Sequence, residues 1–73
     1  MKAVAFKDNK PVKTWFHVIK VSPDQKYRYF IITEKLYHHE LISTIRFIES
    51  DKIVTYEDRK VVATYYAVYW WIK

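Results

Sequence analysis

The chain has 73 residues and a net charge of +5, with no cysteine and no glycine. Lack of Cys removes disulfides and thiolate metal clusters, and lack of Gly removes the phosphate-cradling loops in which backbone must hug a ligand. A single domain this short leaves about 40% of its unfolded surface exposed after folding. The core must therefore come from aromatic bulk: seven Tyr, four Phe and three Trp. Leu occurs only at Leu36 and Leu41, Ala only at Ala3, Ala5, Ala63 and Ala67, and Ile, Val and Thr are plentiful, which points to sheet with at most one helix.

The charge is unevenly spread. Residues 1–35 hold eight cations against three anions, and residues 36–73 hold five against five, so the whole excess sits in the first half. Such asymmetry suits an anionic partner, although a solvated face would show the same thing. No apolar run reaches the ~18–20 residues of a membrane span, and the N-terminus lacks a signal-peptide core. The expectation is a soluble, cytoplasmic protein with no membrane contact.

Taken in order, Lys2 to Phe6 reads as a short strand, and Asp8-Asn9-Lys10-Pro11 as turn chemistry, since Asp and Asn tolerate positive φ and Pro11 cannot sit in a central ladder. Val12 to Val21 alternates as a second strand, Ser22-Pro23-Asp24-Gln25 signals a type I turn, and Tyr27 to Thr33 makes a third strand. Residues 1–33 thus read as an antiparallel meander. Thr33 can cap a helix running from Glu34 to Glu49, with Tyr37, Leu41, Ile42, Ile45 and Ile48 on one broad face. A shorter helix followed by a strand over 44–49 fits the same residues, because short apolar runs are ambiguous by pattern. Ile53 to Glu57 is a fourth strand, Asp58-Arg59 a tight turn, and Lys60 onward a fifth. No linker and no internal repeat stands out, which leaves one domain over residues 1–73. The expected fold is α+β: a mostly antiparallel β-β-β-α-β-β sheet with one helix packed on one face.

The last strand is the most unusual stretch. Residues 61–72 carry no charge, Gly or Pro, and both period-2 faces are apolar. It is about twice the usual strand length, so a bend or bulge is expected. The face holding Ala63 and Ala67 would admit a helix backbone closely. That leaves Tyr66 and Trp70 as the preferred anchors of a protein interface, with Ile72, Tyr65 and Tyr69 completing the set and an open strand edge available to a second copy.

His38-His39-Glu40 resembles no zinc motif, and Glu34 with His38 would give at most two ligands from one helix face, so neither a metal nor a cofactor is expected. Ser22, Ser43 and Ser50 lack any triad or elbow context, and a small basic ribonuclease toxin is the only enzyme class worth entertaining; no catalytic residues are expected. Basic residues interleaved with aromatics, Lys13, Trp15 and His17 in one strand and Lys26, Tyr27, Arg28 and Tyr29 in another, follow the logic of strands that stack bases and hold phosphates. The leading expectation is a small non-catalytic protein-binding module, a regulator or inhibitor acting by occlusion, that self-associates as a homodimer through its aromatic C-terminal strand. The alternative is a nucleic-acid-binding protein using the basic-aromatic N-terminal meander.

Overall fold

A computed structural model describes residues 1–24, 29–46 and 49–66. Seven strands form in them: β1 (Lys2–Lys7), β2 (Lys10–Trp15), β3 (Val18–Pro23), β4 (Tyr29–Leu36), β5 (His39–Arg46), β6 (Lys52–Glu57) and β7 (Lys60–Tyr66). They make two antiparallel sheets, one ordered β2-β1-β6-β7 and the other β3-β4-β5. Among the described residues there is no helix, so the α+β expectation is corrected: this part of the chain is all β.

The error lies in the expected helix over Glu34–Glu49. Residues 29–46 instead form a hairpin, with Leu36 opposite His39 and Tyr29 opposite Arg46. Thr33, expected to cap the helix, sits in mid-strand between Lys20 and Ile42. The physical reason is twofold. Ile31, Ile32, Thr33, Ile42, Thr44 and Ile45 are β-branched and lose χ1 freedom in a helix, whereas they pack well on a pleated surface. The turn that reverses the chain is Tyr37-His38, with Tyr37 at φ 58°, a conformation that turn chemistry assigns to Gly or Asn rather than to a bulky ring. Nothing in the residue types announced it.

The expected second strand, Val12 to Val21, is also two strands, and they belong to different sheets. The chain bends at Phe16-His17. Glu34 Oε2 accepts the Phe16 N–H (3.2 Å) and the His17 N–H (3.4 Å), while the Val18 N–H donates to Met1 O (2.8 Å) and the Lys35 N–H to His17 O (3.0 Å). These bonds pin the crossover that carries β3 away from β2.

The core lies between the sheets. Ala3, Ala5, Trp15 and Ile53 from the first meet Val18, Val21, Phe30, Ile32 and Ile45 from the second, with Met1 and Tyr65 packed at the margin. Full burial of a side chain such as Phe30 or Ile32 contributes about 1.5–3 kcal/mol. The alanines of β1 matter because small side chains there let the second sheet close onto the first.

The four-stranded sheet is built from two like hairpins. Residues 1–16 and 51–66 correspond at an offset of fifty, with identical residues at Lys2/Lys52, Val4/Val54, Asp8/Asp58, Lys10/Lys60, Val12/Val62 and Thr14/Thr64, and aromatics at 6/56, 15/65 and 16/66. Both hairpins close through two residues at positive φ, Asp8-Asn9 and Asp58-Arg59, the φ pattern of a type I′ turn. Both carry a bulge at the same place: Ala5 faces Lys13 but Phe6 faces Pro11, and Thr55 faces Ala63 but Tyr56 faces Val61. Val12 and Val62 are the extra residues. β1 and β6 then pair about a pseudo-two-fold centre at Val4↔Val54, with Ala3↔Thr55 mirrored by Ala5↔Ile53 and Lys2↔Tyr56 by Phe6↔Lys52. The expectation of no internal repeat is corrected: the two hairpins correspond in residue, turn and register.

Candidate functional site

Strand alternation gives the four-stranded sheet an inner face, which meets the core, and an outer face. Val4 and Val54 are buried yet lie outside the core cluster, so they mark the centre of the outer face. Val4 is flanked by Thr14 and Val54 by Thr64 in the same row. On either side of that row a lysine lies over a ring: Lys2 over Tyr56 at 5.5 Å and Lys52 over Phe6 at 5.4 Å. Each is worth roughly 0.5–1 kcal/mol at an exposed position.

Around this centre the sheet displays large apolar side chains in matched positions. Phe16 is 65% exposed and its counterpart Tyr66 63%, and Val12 and Val62 are 52% and 56% exposed. The near-equal values show that the two halves present the same surface. Val61 on β7 adds to one side, where the other half has Pro11. Pro11 is tolerated because β2 is an edge strand and the position adjoins a bulge.

Of the five residues expected to form a protein interface, Tyr65 and Tyr66 are described, and they point opposite ways. Tyr65 is half-buried against the core, and Tyr66 stands opposite Lys52 on the outer face. Tyr69, Trp70 and Ile72 lie outside the described residues. The expected bulge in the last strand is present at Val62, but β7 is an edge strand and the residues around it are largely exposed, not the covered centre of the sheet.

The nucleic-acid candidates do not assemble into one surface. Trp15 is only 3% exposed and packs in the core, with Lys13 Nζ 5.3 Å from its ring centroid. His17 is exposed at the bend, and Tyr29 is half-buried opposite Arg46 in the other sheet. Lys26, Tyr27 and Arg28 lie outside the described residues. Glu34, once paired with His38 on a supposed helix, directs its carboxylate at two backbone N–H groups of the bend. His38 sits in the turn beyond β4 and His39 opens β5. Among the described residues no three His, Asp or Glu side chains cluster as metal ligands, and no helix is long and apolar enough to cross a membrane.

Two further features escaped the sequence reading. The first hairpin turn is held by Asp51: the Asp8 N–H donates to Asp51 Oδ2 (2.8 Å), and the Asp51 N–H donates to Phe6 O (2.7 Å). At the corresponding place on the second hairpin there is an open cleft of about 450 Å³ beside Met1, Lys2, Phe16 and the 57–59 turn, where the Met1 ammonium lies 3.6 Å from Glu57 Oε2. The signal that could have found both is the fifty-residue offset, by which Asp51 aligns with Met1 and Asp58 with Asp8.

No protein-family model, no curated protein and no solved structure matches this chain.

Proposed function

We propose that the chain is a non-catalytic protein-binding module whose working surface is the outer face of the four-stranded sheet, and that it self-associates through that face and the β7 edge. The observation that carries this is the matched exposure of Phe16 with Tyr66 and Val12 with Val62 around the Val4–Val54 centre. A surface of exposed aromatic and branched side chains, with Lys2 and Lys52 set among them over rings, has the make-up of an interface in which aromatic anchors contribute most of the energy. A face with pseudo-two-fold symmetry also suits an isologous dimer, whose two partners must present the same patch. The identities of the repeat favour the same face: Lys2/Lys52, Val4/Val54 and Thr14/Thr64 are shared there, whereas the core-facing pairs Ala3/Ile53, Ala5/Thr55 and Trp15/Tyr65 differ. The burial of Trp15 weighs against a base-stacking role for β2, because an aromatic must offer an open ring face to stack.

Sedimentation of the wild type and of Tyr66→Ala, each paired with a thermal melt, tests the proposal. The wild type is expected to sediment as a dimer. Tyr66→Ala should weaken association by about 2 kcal/mol or more while the melt moves little. A wild-type monomer at every concentration, together with no partner lost on Tyr66→Ala, would refute it.

A further inference from the structure

The two hairpin turns share a backbone but not their neighbours, and the difference leaves a site of definite chemistry. In the first turn the Asp8 N–H points outward, as the leading amide of such a turn does, and Asp51 meets it with a carboxylate oxygen at 2.8 Å. The offset of fifty puts Met1 where Asp51 would stand for the second turn. Met1 has a thioether and no carboxylate to offer, and it packs at the core margin. Among the described residues no acceptor meets the Asp58 N–H, and the cleft of about 450 Å³ opens at this point. The walls of that cleft suit an anion with an apolar stem. The Met1 ammonium, Lys2 and Arg59 supply three cationic groups against the carboxylates of Glu57 and Asp58, and the exposed Phe16 ring forms an apolar side.

We propose that this cleft is a carboxylate-binding site, filled by an acidic side chain of a protein partner in the way Asp51 fills its counterpart. The ligand oxygen accepts the Asp58 N–H, and the surrounding ammonium and guanidinium groups hold the charge. Glu57 competes, because its carboxylate lies 3.6 Å from the Met1 ammonium. The choice of a protein partner over a free small acid rests on the protein-binding function proposed above and on the apolar wall at Phe16, which a bare carboxylate cannot use.

The test is an amide-shift titration of the ¹⁵N-labelled full chain with N-acetyl-aspartate N-methylamide, its asparagine analogue and acetate. The aspartate probe should move the Asp58 and Arg59 amides saturably, and the neutral asparagine analogue should not. Binding should weaken up to about fivefold in Lys2→Gln and tighten by a similar factor in Glu57→Gln, the scale of one exposed charge pair. Asp51→Ala supplies the internal standard: it empties the first site, so the same probe should then move the Asp8 amide, which is silent in the wild type. A response at Asp8 in Asp51→Ala with none at Asp58 in the wild type would overturn the site, as would equal shifts from the asparagine analogue. Acetate binding as tightly as the aspartate probe would overturn the assignment to a protein side chain. Tyr66→Ala should leave probe binding unchanged, so loss of the sheet-face interface and loss of this site give separate results.

Discussion

Hairpin β1–β2 and hairpin β6–β7 share turn type, bulge position and strand register, yet they meet different neighbours at their turns and on their inner face. On the outer face their central residues match: Lys2 and Lys52 each cover a ring, and Thr14 and Thr64 flank the central valines. Inward, both face a single three-stranded sheet that has no two-fold of its own. β1 presents Ala3 and Ala5 beneath it, β6 presents Ile53 and Thr55, and Trp15 is deeply buried where Tyr65 is only half-buried. Thr55 can occupy its interior position because its hydroxyl donates to Ala63 O at 3.3 Å. The two hairpins therefore differ most in side-chain size where they pack against different parts of the second sheet, whereas at the centre of the outer face Lys2/Lys52, Val4/Val54 and Thr14/Thr64 are identical.

The largest expected break in this symmetry comes from the inner aromatics. Trp15→Ala should cost about 3–5 kcal/mol, a large part of the stability of a domain this small. Tyr65→Ala at the half-buried counterpart should cost roughly half as much. Parallel denaturant titrations measure the gap; equal losses would mean that the two inner positions are energetically alike.

Asp51→Ala separates the turns next. Removing the charged acceptor from an exposed amide should cost about 1 kcal/mol, less than the 1.5–3 kcal/mol typical of bonds to charged groups because water replaces it. Amide exchange should quicken at Asp8 and stay constant at Asp58.

The turns also differ in how well their residues tolerate positive φ. Arg59 sits at 69° where the first turn uses Asn9 at 64°, and Tyr37 sits at 58° with its ring 92% exposed, so no packing offsets the steric cost. Arg59→Gly and Tyr37→Gly should each raise stability by about 0.5–1 kcal/mol, whereas Asn9→Gly should change little. Thermal melts of the three variants rank them; a loss on Tyr37→Gly would show that the ring has a partner.

The smallest effect sharpens the comparison. Lys2→Met and Lys52→Met should each cost about 0.5–1 kcal/mol, with similar losses at the two mirrored positions. Unequal costs in denaturant titrations would mean that the outer face is less symmetric than its register.

Several elements were legible from residue types alone. Asp8-Asn9 and Asp58 announced turns because Asp and Asn tolerate positive φ, and the strand expected over Ile53 to Glu57 is present as β6, beginning one residue earlier at Lys52. Without Gly, positive φ is expected at Asn9 or an Asp; Asp8, Asn9 and Asp58 adopt it, but so do Tyr37 and Arg59, whose side chains do not ease it. That is why a hairpin was mistaken for a helix. Leu41, Ile42, Ile45 and Ile48 satisfy a helical spacing, while Leu41, Ser43 and Ile45 satisfy a strand spacing, and only a recognisable turn would have chosen between them.

What the sequence determined by itself was local: where the backbone turns, which segments favour extension, and that a chain without Cys or Gly must build its core from rings and branched aliphatics. Tertiary structure alone decided the sheet to which each strand belongs, because strand pairing is fixed by partners tens of residues away. Val12 to Val21 contains no Gly, Pro, Asn or Asp to announce a break, yet Glu34 and Met1 hold it bent at Phe16-His17 and it divides between two sheets. The same holds for the clefts at the turns. Asp51 is an ordinary loop aspartate in sequence, and it becomes a turn cap only because β1 and β6 pair about Val4 and Val54, bringing its carboxylate to an amide 43 residues away.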